Sequence, residues 1–282
     1  MNISLTILLF FLSANAIIII LTNKEYPSDI EKRTIRSAEH CVAKILVSTN
    51  PGLLTVSQRM GVIKPLIRLI RDHDSTDLQR FEALLSLTNV ASHGHEVRER
   101  IIAEKGVSTL SYAMFSDHSM VRTAATESIC NLVSCPEVIH HLSDPERMKI
   151  WVAFASDFNE NYECSRAAAG CLAEASCDPG VADSIIQTKR FEEMVRSLLE
   201  CGRLELMHRV LVLLLNLLSH GGMCRERVLA SGSVAFCDAY AASFHDKSTP
   251  EQGLGESLGI NELDQRLLPV TVNLAKEIVR SG

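Results

Sequence analysis

Apolar positions recur three and four residues apart through most of this chain, and the runs that carry them end at regular intervals. In the stretch 78–92, LQRFEALLSLTNVAS, residues Leu78, Phe81, Leu85 and Thr88 fall on one helical face. In 205–219, ELMHRVLVLLLNLLS, the apolar character wraps nearly around the helix, as it does for a helix covered on several sides. Such runs close on a serine: Ser48, Ser92, Ser134, Ser176 and Ser219, at steps of 44, 42, 42 and 43 residues. A stop signal follows each serine: Asn50-Pro51-Gly52, His93-Gly94, Cys135-Pro136, Asp178-Pro179 and His220-Gly221-Gly222. Glycine ends a helix because it tolerates positive φ, and proline because it lacks an N–H.

Between two stops there is room for three helices. EVRERIIAEKG (96–106) supplies a first, VSTLSYAMF (107–115) a short second and SMVRTAATESICNLVS (119–134) a long third. The phrase RERIIAEKG at 98–106 returns as RERVLASG at 225–232, an offset of 127 residues. That distance is three repeats of about 42 residues, and three helices in such a period is the armadillo pattern. Pro145 after Asp144 and Pro179 after Asp178 sit where the first turn of a helix accepts proline. The expectation is an all-α superhelical solenoid of about five to six three-helix repeats. One repeat cannot bury its own apolar face, so stacking supplies the core, and the third helices line a concave binding surface.

The two ends depart from this rhythm. Residues 1–22, MNISLTILLFFLSANAIIIILT, carry no charge and have about the length of a membrane span. The segment 1–23 reads as an apolar N-terminal helix: a membrane anchor, a signal-like leader or a misassigned start. Lys24, Lys32 and Arg33 after it would leave the following domain in the cytosol. Residues 24–36 read as a linker and 37–282 as the repeat domain. Within it, a polar, glycine-rich loop at about 245–264 precedes a closing helix, LLPVTVNLAKEIVRS.

Composition narrows the function classes. With 34 acidic against 28 basic residues the net charge is −6, which gives no footprint for a nucleic-acid backbone. Nine scattered cysteines, none in a C-x-x-C pair, suit a reducing compartment, so the body of the chain reads as cytoplasmic. No H-E-x-x-H, nucleophile elbow or P-loop occurs, and His93/His95, His140/His141 and Asp72-His73-Asp74 lack helical ligand spacing. No catalytic residue, cofactor or metal is expected.

What the third helices offer instead is a polar stripe. Three residues before the landmark serines stand Asn89, Asn131, Ala173 and Asn216; seven residues earlier stand Glu82, Ala124, Arg166 and Arg209. Glu127 lies one turn before Asn131. A row of amides both donates and accepts, so it suits the backbone of an extended peptide, and arginine adds forked donors. The competing reading is that these asparagines tie adjacent repeats together. Tyr112 and Phe115, in a chain with 5% aromatics, are expected in the core.

Several phrases are longer and less generic than a repeat demands: STNPGLL (48–54), IRDHDSTDLQRFEALLSLTN (70–89), AMFSDHSMVRTAATESICNLV (113–133), NYECSRAAAGCLA (161–173) and ELMHRVLVLLLNL (205–217). They resemble the UCS domain, named for the uncoordinated-forty-five, Cro and She proteins, which are myosin chaperones. The resemblance runs from about Ser37 to Ser281. It implies an armadillo domain that engages the myosin motor domain, assists its folding and supports thick-filament assembly together with Hsp70 and Hsp90. Carried onto this chain, the client-binding candidates are Asn89, Asn131, Arg166, Arg209 and Asn216, with Glu127, Arg122 and Tyr112 nearby. Animal members also carry a tetratricopeptide domain that docks Hsp90; no such pattern occurs in these residues, so Hsp90 docking through that clamp is in question here. The alternative is a membrane-tethered armadillo scaffold for another partner, resting on residues 1–23 alone.

Overall fold

The computed structural model describes residues 28–244 and 262–282. The apolar leader at 1–23 lies outside them, as does most of the loop expected at 245–264. Among the described residues there are fifteen α-helices, one 3-10 turn and no strand. None of these helices is long and apolar enough to cross a membrane. The chain forms two compact units that divide after Glu137.

The first unit contains α1 (Asp29–Ser48), a 3-10 turn (Pro51–Leu53), α2 (Val56–Arg71), α3 (Asp77–Ala91), α4 (His95–Ala103), α5 (Gly106–Ala113) and α6 (Ser119–Cys130). The division falls within α7 (Pro136–Leu142). The second unit continues with α8 (Pro145–Ser156), α9 (Tyr162–Ala175), α10 (Pro179–Gln187), α11 (Phe191–Glu200), α12 (Leu204–His220), α13 (Gly222–Ala230), α14 (Ser233–Ala242) and α15 (Glu262–Ser281). Helices α4–α6 reproduce the three segments read from the sequence, and α7–α9, α10–α12 and α13–α15 repeat the triplet. The long third helices lie against each other: α1 on α3 and α3 on α6 in the first unit, α9 on α12 and α12 on α15 in the second.

Local chemistry sets the boundaries. Ser28, Thr55 and Thr76 each close a capping box with Glu31, Gln58 and Gln79, satisfying backbone donors that a helix start leaves open. The box at Ser28 starts α1 at Asp29, so the expected linker 24–36 is largely helix. In the same way α15 begins at Glu262, inside the expected loop. Between Ser48 and Thr55 too few residues remain for a first helix, and Pro51-Gly52-Leu53 makes a 3-10 turn instead. Asp144 and Asp178 cap α8 and α10 with proline at the first helical position, as their spacing predicts. Gly94 and Gly221 hold φ of 131° and 69°, which a side chain would resist.

The landmark serines have a physical role. Ser92 Oγ donates to Asn89 O at 2.7 Å, Ser176 Oγ to Ala173 O at 2.8 Å and Ser219 Oγ to Asn216 O at 2.6 Å. The hydroxyl therefore satisfies a carbonyl in the last turn that the helix cannot bond itself. Arginines do the same for neighbouring segments. Arg71 bonds Glu104 O and Lys105 O, Arg80 bonds Asp72 O and His73 O, Arg122 bonds Ser116 O and Asp117 O, and Arg227 bonds Ile186 O.

The cores are aliphatic. Helix α12 buries Leu206, Met207, Val210, Leu211, Leu213, Leu214, Leu217 and Leu218 against α9, α11, α13 and α15. Its nearly all-round apolar character follows from being covered on several sides, each full burial contributing about 1.5–3 kcal/mol. Trp151 and Phe191 are the largest fully buried side chains. All nine cysteines are free, and five are buried. Burial pushes the Cys237 thiol up to about 12, which leaves it un-ionised and inert.

Candidate functional site

In the first unit the predicted asparagines point their amide donors across the repeat. Asn89 Nδ2, on α3, donates to Leu46 O at 3.3 Å and Val47 O at 3.5 Å, at the end of α1. Asn131, the residue that caps α6, donates to Thr88 O on α3 at 3.2 Å. Thr88 and Ser128 join the same two helices through their hydroxyls at 2.7 Å. The tie between repeats thus uses the amide N–H. Glu82 does not stand in an open row either: it pairs with His40 of α1. Glu127 lies half-buried one turn before Asn131.

Arg122 and Tyr112 belong to a different place. The Arg122 guanidinium fastens the α5–α6 loop through Ser116 O at 2.8 Å and Asp117 O at 3.0 Å. Tyr112 and Phe115, expected in the core, are 78% and 60% exposed. Helix α5 buries Gly106, Thr109, Leu110 and Ala113, a helical face that leaves Tyr112 on the opposite side. Both aromatics line a cavity of about 380 Å³ with His73, Asp77, Asp117 and His118.

The second unit brings two predicted residues, Arg166 and Arg209, together. Arg166 Nη1 of α9 and Arg209 Nη2 of α12 each lie 3.2 Å from the same carboxylate oxygen, Glu205 Oε1. Glu163 holds Arg166 from below at 2.8 Å, and Tyr162 donates its hydroxyl to Glu205 Oε2 at 3.2 Å. The Arg203 guanidinium lies 5.3 Å from the Tyr162 ring centre, a cation–π contact. Burial alone would raise the Glu205 carboxyl, but the hydrogen bonds and charges of Arg166 and Arg209 outweigh it and hold it below the usual range. It is therefore ionised at neutral pH and fixes both arginines.

Beside this network runs an open groove of about 470 Å³, lined by Gly170, Ala173, Glu174 and Cys177 of α9 and its end, and by His208, Arg209, Val212 and Asn216 of α12. Asn216 Nδ2 donates to Ala173 O at 2.8 Å and to Ser176 Oγ at 3.0 Å. His220 reinforces that junction, its Nε2 lying 2.8 Å from Ser176 O. Burial, with the nearby Arg209 charge, lowers the pKa of His208, so this imidazole is neutral. Sequence reasoning missed Glu205 and Gly170. Glu205 stands four residues before Arg209, the spacing of a helical ion pair, and Gly170 interrupts an otherwise alanine-rich helix. Among the described residues no group of three or more histidine, cysteine or acidic side chains is arranged to hold a metal.

Comparison with known proteins bears on this geometry. No protein-family model matches the chain. Protein unc-45 homolog B of Danio rerio is 31% identical over 222 residues, which are 77% of this chain and 23% of the relative. The Mus musculus counterpart is 34% identical over 199 residues, 69% of this chain and 21% of the relative. The chain is a homologue of the UNC-45 proteins. It spans about a fifth to a quarter of the length of the UNC-45 relatives it matches. UNC-45 from Drosophila melanogaster superposes with a TM-score of 0.77 at 24% identity, covering 95% of this chain and 31% of that one. The myosin chaperone UNC-45 from C. elegans, solved with an Hsp90 peptide, gives 0.71 at 22% identity over 94% of this chain and 27% of its own. A designed armadillo repeat protein holding a (KR)4 peptide gives 0.68 at 17% identity, over 94% of this chain and 98% of that one. The armadillo fold expected from the 42-residue rhythm is thereby established, and the UCS-type phrases agree with the UNC-45 homology.

Proposed function

We propose that this chain is the client-binding armadillo region of a myosin chaperone. It binds the myosin motor domain on its third-helix faces and assists folding and thick-filament assembly without covalent chemistry, in the cytoplasm and in cooperation with Hsp90 and Hsp70. The observation that carries this reading is the homology to UNC-45 homolog B across 222 residues. The C. elegans relative is described as a myosin chaperone, and its complex with an Hsp90 peptide supports Hsp90 as a partner.

The client-facing groups in this proposal are Arg166, Arg209 and Asn216 in the second unit and Asn89, Asn131 and Glu127 in the first, with Tyr112 and the Arg122-fastened loop as a separate contact. The amide N–H groups of Asn89, Asn131 and Asn216 already serve α1, α3 and α9. Their oxygens accept backbone N–H groups of an extended client, which fits recognition with little demand on client sequence. Such a clamp shields a half-folded motor domain and releases it unchanged.

The test is aggregation of purified myosin heads at a heat-shock temperature, followed by light scattering with and without the purified chain. Suppressed scattering at near-stoichiometric chaperone is expected. Scattering that is unchanged at tenfold excess overturns the proposal.

A further inference from the structure

At the floor of the second unit's groove, helix α9 presents no side chain where α12 sends its longest one. A Cβ on Gly170 would lie 1.9 Å from Arg209 Nη1 and 3.1 Å from its Cζ. Any side chain at 170 therefore evicts the guanidinium from its present position. Arg209 makes one hydrogen bond to the protein, from Nη2 to Glu205 Oε1 at 3.2 Å. A guanidinium has five N–H donors. Arg209 Nε is also the one buried side-chain polar atom among the described residues of the second unit that lacks an acceptor. Because Nε is shut off from solvent, the donors left for a ligand are those of the terminal nitrogens.

No side chain of the groove lining bonds Arg209. Ala173 and Val212 are apolar, and the Asn216 amide is turned to Ala173 O and Ser176 Oγ. His208 is kept neutral by burial and by Arg209. Around the groove's end, Arg166, Arg203 and Arg209 lie among Tyr162, Glu163 and Glu205. Glu174, exposed one turn along α9 from Gly170, is the lining's own carboxylate.

We infer that Gly170 is a positioning residue that seats Arg209, and that the groove so formed takes an acidic side chain of an extended client segment. A carboxylate matches the donors left on a fixed guanidinium, and such charge-assisted bonds are about twice as strong as neutral ones. The inference rests on the groove being a client-binding surface, as proposed above.

The experiment uses the full chain and two fluorescein-labelled heptapeptides, one alternating glutamate with alanine and one with glutamine in place of glutamate. Fluorescence anisotropy gives Kd for each. The wild type should prefer the glutamate peptide at least fivefold, and 0.5 M salt should erase that preference. G170A and R209M should bind the two peptides equally within twofold, R209K should keep part of the preference, and E174Q should increase it. Far-UV circular dichroism reports folding of each variant; if G170A does not fold, R209M and R209K carry the test. Equal affinity for the two peptides in the wild type, or an intact preference in G170A, overturns the inference. A wild type that protects myosin heads yet shows no peptide preference rejects this inference alone. One that shows the preference yet gives no protection rejects the chaperone reading alone.

Discussion

Replacing Asn216 with alanine separates the two roles that a polar stripe on a third helix can have. The substitution deletes hydrogen bonds to Ala173 O at 2.8 Å and Ser176 Oγ at 3.0 Å, both joining α12 to α9. A neutral intramolecular hydrogen bond contributes about 0.5–1.5 kcal/mol net, which bounds the loss at about 1–3 kcal/mol. Ala173 O keeps its bond from the Ser176 hydroxyl, so no carbonyl is orphaned, and about 1–2 kcal/mol is expected. For a unit of this size that corresponds to a fall of roughly 3–6 °C in Tm. Because the two units need not unfold together, hydrogen exchange of the α9 and α12 amides is the sharper assay. Exchange there should accelerate while that of α1–α3 stays unchanged. Asn89, whose bonds to Leu46 O and Val47 O are 3.3 and 3.5 Å, should cost less than Asn216 when changed to alanine. If N216A leaves exchange in α9 and α12 within error of the wild type, the tie between these helices is not what holds them, and the assignment of the amide N–H to structure fails.

Further expectations concern the core, the buried charges and the loops. W151A removes a side chain that is 1% exposed on α8 and should cost about 3–5 kcal/mol, seen as a lower urea midpoint. Glu39 of α1 is buried against Arg68, and burial, only partly offset by that arginine, raises its carboxyl from 4.5 to about 7. Between these values the unfolded chain has lost a proton that the folded chain still holds, so stability falls as pH rises through this window. The wild-type loss approaches about 3 kcal/mol by pH 8, and E39Q should lack it; parallel urea-denaturation curves for the two proteins from pH 4 to 8 would contradict the raised carboxyl. R122M removes two bonds to the α5–α6 loop and should cost about 1–2 kcal/mol, with faster proteolysis at 116–118 than in the wild type.

The helix order was legible in the sequence because its markers are local. A serine that bonds the carbonyl three residues back, followed by glycine or proline, leaves the same trace at Ser92, Ser176 and Ser219 wherever the helix goes. The exposure of Tyr112 was legible too, since Leu110 and Ala113 mark a helical face that excludes it, a signal that aromatic size does not carry. The partners of the stripe were not. Whether Asn89 bonds a client or Leu46 O depends on how α3 is registered against α1, and no spacing within either helix encodes that. The seat of Arg209 is less visible still: Gly170 and Arg209 are 39 residues apart, and only the crossing of α9 with α12 makes one the complement of the other.

The arginine contacts to main-chain carbonyls have a consequence for how such chains diverge. Arg71, Arg80, Arg122 and Arg227 grip main-chain oxygens at Glu104, Lys105, Asp72, His73, Ser116, Asp117 and Ile186, and a main-chain oxygen is the same whichever amino acid bears it. Drift at those receiving positions leaves the fastening intact, whereas loss of a single guanidinium releases a whole connection. Substitution along this lineage should therefore accumulate on the clasped side of each contact and spare the clasp, which lets distant cousins keep one architecture while sharing few letters.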